Sequence, residues 1–284
     1  MLGKLLKHEW KAVWKVPTLL IGILMLIAVL SGLTFALPIW DSEWIGLPLS
    51  GIMMFVMFYL AMFAVGIGIM IYFAVRYYKN MYTDEGYLTH TLPVSARQLL
   101  LNKVITMSAW NLIGGAAVVV SVIIFGGVTF LSLMAKDSTF ARGFVEEIAQ
   151  LPRVMRAIWN EPYLRGINGF CASVVFLLLT SSFSGTMMII GAVNLGQMVR
   201  KHRILGAVGA YFVINFVMQM LSTVITMPLM LVQINSAFDS VHEELSPFPV
   251  LTPMYFGIAA GSLVISIGLY FMSEYLLRRQ LELE

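Results

Sequence analysis

Six long apolar runs, at 17–39, 48–75, 101–134, 166–194, 204–234 and 252–277, account for most of this 284-residue sequence. A hydrocarbon core of roughly 30 Å takes about 20 apolar residues per helical crossing, and backbone groups inside it must pair within their own helix. Each run therefore reads as one membrane-spanning helix, and the longest as helices that tilt or project beyond the bilayer. Composition agrees: 59% of the residues are hydrophobic, 12% are charged and the mean hydropathy is +0.86, more apolar than a soluble domain of this size. The expectation is an all-α integral membrane protein, one transmembrane domain over 1–284 with six spans.

Basic residues set the expected orientation, because short loops rich in Lys and Arg stay in the cytoplasm. With the N-terminus inside, Lys4, Lys7, Lys11, Lys15, Arg76, Lys79, Arg97, Lys103, Arg200, Lys201, Arg203, Arg278 and Arg279 all fall on the cytoplasmic side. The other five of the 18, Lys136, Arg142, Arg153, Arg156 and Arg165, share one long extracellular loop, 135–165, with four carboxylates. Both termini are then cytoplasmic, and the net charge of +3 reflects topology rather than a nucleic-acid partner. Residues 1–16 put Leu2, Leu5, Leu6, Trp10, Val13 and Trp14 on one helical face and the four lysines on the other. That is an interfacial amphipathic helix along the inner membrane surface, its lysines suited to anionic lipid head groups, with either an anchoring or a mechanical role. Its charges are spread at helical spacing instead of forming a short basic leader, so no cleavable signal peptide is expected. Cys171, the single cysteine, lies in the fourth run, which excludes an intramolecular disulfide.

Between the second and third runs lies a polar island, YKNMYTDEGYLTHTLPVSARQLLLNK, from 78 to 103. It carries Tyr77, Tyr78, Tyr82 and Tyr87 in and beside it, acidic Asp84 and Glu85, and Gly86 to bend the chain. Pro93 ends any helix before it, and Ser95 with Gln98 forms a capping-box pattern that opens the next helix. A short helix, a turn and a long helix follow, with Leu88 and Leu92 beside the acids making a compact knob; the plain alternative is a solvated loop with an aromatic belt. In the outer loop, Phe140, Phe144, Ile148, Leu151, Met155 and Ile158 recur at helical spacing, so one or two surface helices are expected, the second starting at Pro152.

The string RYYKNMYTDEGYLTHTLPVSARQLLLNK resembles the cytoplasmic segment between spans two and three of bacterial type 2 ABC exporter permeases, especially those of Gram-positive bacteria. The resemblance extends to the start, KHEWKAVWK, to the six-span layout and to the inside termini. It implies a permease subunit in the bacterial plasma membrane, paired with a second permease, identical or homologous, and with two ABC ATPase subunits that hold ATP and Mg. The island would be the coupling helix, with Tyr82, Asp84, Glu85, Gly86, Tyr87, Leu88 and Leu92 as ATPase contacts; 197–203 is a weaker contact. Outward transport is likewise what the resemblance implies.

No G-x-x-x-x-G-K-[ST] phosphate loop occurs, so the chain holds no nucleotide site of that kind, and no enzyme activity or cofactor of its own is expected. His8, His90, His202 and His242 are scattered and form no H-E-x-x-H pattern, and Glu85 and His90, five apart, face poorly for a shared metal. A proton- or sodium-driven carrier would place ionisable groups near the midplane, whereas only Glu274 approaches a span. Polar residues inside the runs, Asn111, Asn168, Asn194, Asn215, Gln219 and the cluster Thr180, Ser181, Ser182 and Ser184, either glue helices or line a cavity. Asn111, Asn215, Gln219 and Ser181 are the cavity-lining candidates. Twenty methionines suit a greasy or amphipathic cargo such as a peptide or lipid-like molecule. Gly257 and Gly261, with Gly114, Gly115, Gly126 and Gly127, point to close helix packing. The alternative function is a non-ABC channel or a scaffold or sensor subunit.

Overall fold

The computed structural model of the chain describes residues 2–35, 37, 40, 45–83, 94–136, 152, 166–199, 202–239 and 248–279. Among them the elements are α1 (Leu2–Val13), α2 (Lys15–Leu33), α3 (Gly46–Tyr82), α4 (Ala96–Lys136), α5 (Ile167–Gly196), α6 (Arg203–Asp239) and α7 (Phe248–Arg279). Helices α2 to α7 are each long and apolar enough to cross a membrane, one for each apolar run. Among the described residues the structure is thus all-helical, and the chain is a multi-pass membrane protein. The expected surface helices of the outer loop and the helix of the polar island fall on 137–165 and 84–93, which lie outside the described residues except for Pro152.

Helix ends depart from the apolar runs for identifiable reasons. The first run continues to 39, yet α2 stops at Leu33. There the Thr34 hydroxyl donates to the Ser31 carbonyl at 2.6 Å, Phe35 N–H reaches the Gly32 carbonyl, and the Trp40 indole donates to the Thr34 carbonyl at 3.0 Å. These bonds close the last turn, and Pro38 disfavours helix at the residue before it. At the other end of α2, Pro17 has no N–H to give the Val13 carbonyl, and the Tyr72 hydroxyl donates to that oxygen instead, at 3.4 Å. Helices α3 and α4 run to 37 and 41 residues, about 55 and 60 Å at 1.5 Å per residue, well past a hydrocarbon core of ~30 Å. Polar residues alone do not end a helix: the run RYYKNMY at the end of α3 contains neither proline nor glycine and stays helical. Helix α4 opens after Ser95, whose Oγ accepts the Gln98 backbone N–H at 3.4 Å, as the capping pattern predicts.

The helices group into two compact units. One is drawn from Lys11–Tyr72 and Ile113–Ala157. In it α2 buries Pro17, Leu24, Ala28, Ser31 and Gly32, a stripe at helical spacing whose small members let neighbours approach. The Ser31 hydroxyl donates to the Met54 carbonyl of α3 at 2.9 Å, and a Cβ on Gly32 would stand 2.8 Å from Val128 Cβ of α4. Phe125 of α4 sits among aromatic rings, stacked on Phe58 with centroids 4.9 Å apart and edge-on to Phe35.

The other unit is drawn from Met1–Trp10, Phe73–Leu112 and Ile158–Glu284. Helix α5 packs on α7 and α6, and α6 also packs on α7. Helix α5 is the most enclosed of the six spanning helices, with 39% of its most apolar window buried, against 6% for α6. The α5–α6 crossing is tight at its start: a Cβ on Gly196 would lie 2.4 Å from the Ala207 backbone nitrogen. Of the glycines singled out from sequence, Gly114 and Gly261 do meet neighbours, at 2.9 Å from Ile69 Cδ1 and 2.6 Å from Ile225 Cδ1. Gly115, Gly126 and Gly127, expected to mark close packing, instead face open space among the described residues.

Candidate functional site

The two ends of the polar island are held in place by two polar clusters within the second of these units. The first centres on Glu9 of α1. Arg76 Nε of α3 donates to Glu9 Oε1 at 3.2 Å, and Lys103 Nζ of α4 stands 2.7 Å from Oε2. The carboxylate and the ammonium are largely enclosed, with side-chain exposures of 14% and 6%, while Arg76 keeps 24%. Burial alone pushes the Glu9 carboxyl up, but the Lys103 ammonium and the Arg76 guanidinium outweigh it and hold the group below the ordinary carboxylate range. One residue on, Trp10 stacks on Trp110 of α4 with centroids 5.0 Å apart. A single carboxylate and its neighbouring indole thus tie α1 to both α3 and α4.

The second cluster centres on Asn194, near the end of α5. Its Oδ1 accepts the Tyr77 hydroxyl at 2.9 Å and the Tyr82 hydroxyl at 2.7 Å, both from α3. Tyr77, Tyr82 and Asn194 are all within a few per cent of complete burial. Further along α5 the pattern repeats with other partners. Ser182 Oγ donates to the Ser108 carbonyl of α4, and Asn111 Nδ2 donates to Thr186 Oγ1 at 3.0 Å. On the facing side Ser266 Oγ of α7 donates to Ser184 Oγ at 2.7 Å. Helix α5 is therefore the hub through which α3, α4 and α7 exchange side-chain hydrogen bonds.

Among the described residues no group of three or more His, Cys, Asp and Glu could hold a metal ion. What the two clusters offer is attachment: Tyr82 is the penultimate described residue before 84–93, and Lys103 lies two turns into the helix that follows.

The chain matches no family model, no curated protein and no solved structure.

Of the contact candidates, Tyr82 is turned inward and only 3% exposed, committed to Asn194 rather than presented at a surface. Asp84, Glu85, Gly86, Tyr87, Leu88 and Leu92 lie outside the described residues. The four cavity-lining candidates separate. Asn215 and Gln219 of α6 line a pocket of about 200 Å³ formed with α5 and α7. Asn111 bonds across helices to Thr186, and Ser181, though exposed, returns its hydroxyl proton to the Leu178 carbonyl of its own helix. Glu9 carries no motif, yet it is the only acidic residue before Asp41, set among four lysines, and that isolation is the signal in the sequence for a buried counter-charge.

Proposed function

We propose that this chain is the permease subunit of an ABC exporter in a bacterial plasma membrane, with both termini cytoplasmic, α1 lying along the inner surface, and 84–92 forming the coupling helix. In this reading ATP hydrolysis by two separate ATPase subunits drives outward movement of a hydrophobic or amphipathic substrate, and a second permease subunit completes the path. The supporting observation is that the island is tied down at both ends, on either side of 84–92: Tyr82 to Asn194 of α5, and Lys103 to Glu9 of α1. A push delivered to 84–92 then acts directly on α3 and α4, and through those bonds on α5 and α1, instead of being absorbed by a slack loop. The resemblance of the island to the family's coupling segment supports the same reading. Because Tyr82 is buried, ATPase contact in this proposal falls to Asp84, Glu85, Gly86, Tyr87, Leu88 and Leu92.

The test is affinity purification of the chain from its native membrane in mild detergent, with mass spectrometry of what stays bound. We expect an ATP-binding subunit to be retained by the wild type and lost from Glu85→Arg, with membrane insertion unchanged. Recovery of no ATPase under conditions that keep other transporter complexes intact removes the exporter reading and leaves a channel or scaffold.

A further inference from the structure

The pocket between α5, α6 and α7 has a composition that the coupling argument does not use. Helix α6 carries Asn215, Gln219, Ser222 and Thr226, spaced four, three and four residues apart, so they form one polar stripe along an otherwise apolar helix. The first three line the pocket together with Ser262 of α7. Met188 and Met218 and aliphatic side chains close the rest, and no charged residue takes part. Asn215 and Gln219 are exposed, and among the described residues neither side-chain amide makes a hydrogen bond. Ser262 donates its hydroxyl proton to the Ala259 carbonyl, which leaves its oxygen free to accept.

Two amides one turn apart on a helix that is 6% buried in its apolar window face an expensive environment, since an amide in hydrocarbon without a partner costs several kcal/mol. The pocket therefore suits an occupant that brings hydrogen-bonding groups to the α6 side and apolar surface to the methionine side. A charged group would find no counter-charge in the lining and would lose its hydration on entry. At about 200 Å³ the space is smaller than the roughly 300–1,000 Å³ of drug-sized sites, so it holds a head group and the first part of a chain rather than a whole large molecule. Thioether side chains adapt to varied apolar shapes, which fits an acyl or branched tail better than one rigid ligand.

We infer that this pocket is a binding site for an uncharged, lipid-like amphiphile that enters from the bilayer, with Asn215 and Gln219 bonding its hydroxyl or ester head. The inference concerns occupancy of this chain and does not rest on the exporter reading.

The test uses the full chain in phosphatidylcholine nanodiscs doped with a diazirine-tagged monoacylglycerol, irradiated, digested and mapped by mass spectrometry. Adducts are expected to concentrate on peptides covering 215–225 and 258–265, to fall about tenfold in the Asn215→Leu/Gln219→Leu double variant, and to be displaced by excess untagged monooleoylglycerol. Adducts spread over all lipid-facing helices, or equal labelling of the same peptides by a diazirine-tagged phosphatidylglycerol, overturn the assignment. If the double variant does not fold, competition on the wild type decides, and labelling that excess monooleoylglycerol leaves undiminished rejects the site.

Discussion

Asn194 and Glu9 are the two residues on which most of the described polar contacts near the island converge, and each accepts from two partners. Replacing Asn194 by Leu leaves two buried tyrosine hydroxyls without their acceptor, so the loss exceeds that of either Tyr77→Phe or Tyr82→Phe. At about 1 kcal/mol for each interhelical hydrogen bond in a membrane protein, we expect Asn194→Leu to cost about 2 kcal/mol and each phenylalanine variant about 1, read as thermal unfolding in detergent. Equal effects of all three would show that the Asn194 carbonyl is not the shared acceptor. For Glu9→Gln we expect about 3 kcal/mol, the low end for breaking a buried ion pair, because Arg76 retains solvent contact while Lys103 is largely enclosed.

The pH dependence follows in sign. Because the folded-state pKa of Glu9 is depressed, its stabilisation is fully present above the ordinary carboxylate pKa and is lost as pH falls through the lower folded value. Below the ordinary range, near pH 4, wild-type stability should therefore decline by more than that of Glu9→Gln. Parallel declines in acid titrations of the two proteins would contradict the ion-pair assignment.

For the helices, glycine position separates packing from convenience. A Cβ on Gly196 meets the backbone of Ala207, which cannot swing away as a side-chain tip can, whereas a Cβ on exposed Gly209 meets nothing within 4 Å. We expect Gly196→Ala to lower the melting temperature markedly and Gly209→Ala to raise stability by roughly 0.5–1 kcal/mol through helix propensity. A neutral Gly196→Ala would mean that the α5–α6 crossing relaxes freely. The existence of these helices was legible, because the length of an apolar run is a one-dimensional property that the bilayer converts directly into a span. Their ends were less so: α2 stops short through bonds made by Thr34 and Trp40, and α3 persists through polar residues that look like loop. The partnership of Tyr82 with Asn194 joins residues 112 positions apart, and no local pattern announces it. Polar type was readable at Asn111, Asn194, Asn215 and Gln219 alike; whether each amide bridges helices or lines a pocket depends on which way its helix face turns in the packed structure.

For the molecule as a whole, the proposed inside location of both termini makes a labelling prediction. In a Cys171→Ser background, a membrane-impermeant maleimide applied to intact cells should label Pro152→Cys and leave Ser95→Cys unmodified until the membrane is opened. The reverse pattern would invert the topology, and with it the assignment of 84–92 to the side where an ATPase can reach it. The distribution of positive charge is the basis in the sequence for the proposed orientation, while the grouping of helices into two units has no such signal, since the boundaries cut through α1, α3 and α4 in mid-helix.

The bonding pattern around α5 also has a chronology. Synthesis runs from the N-terminus, so Tyr77, Tyr82, Ser108 and Asn111 have all been made by the time α5 leaves the ribosome. The Asn194 carbonyl and the hydroxyls of Ser182 and Thr186 can find their partners at once, whereas Ser184 waits for Ser266 of α7. The most polar contacts of this helix are thus available during biogenesis, and a nascent chain stalled once α5 has cleared the ribosome should already hold α3, α4 and α5 together.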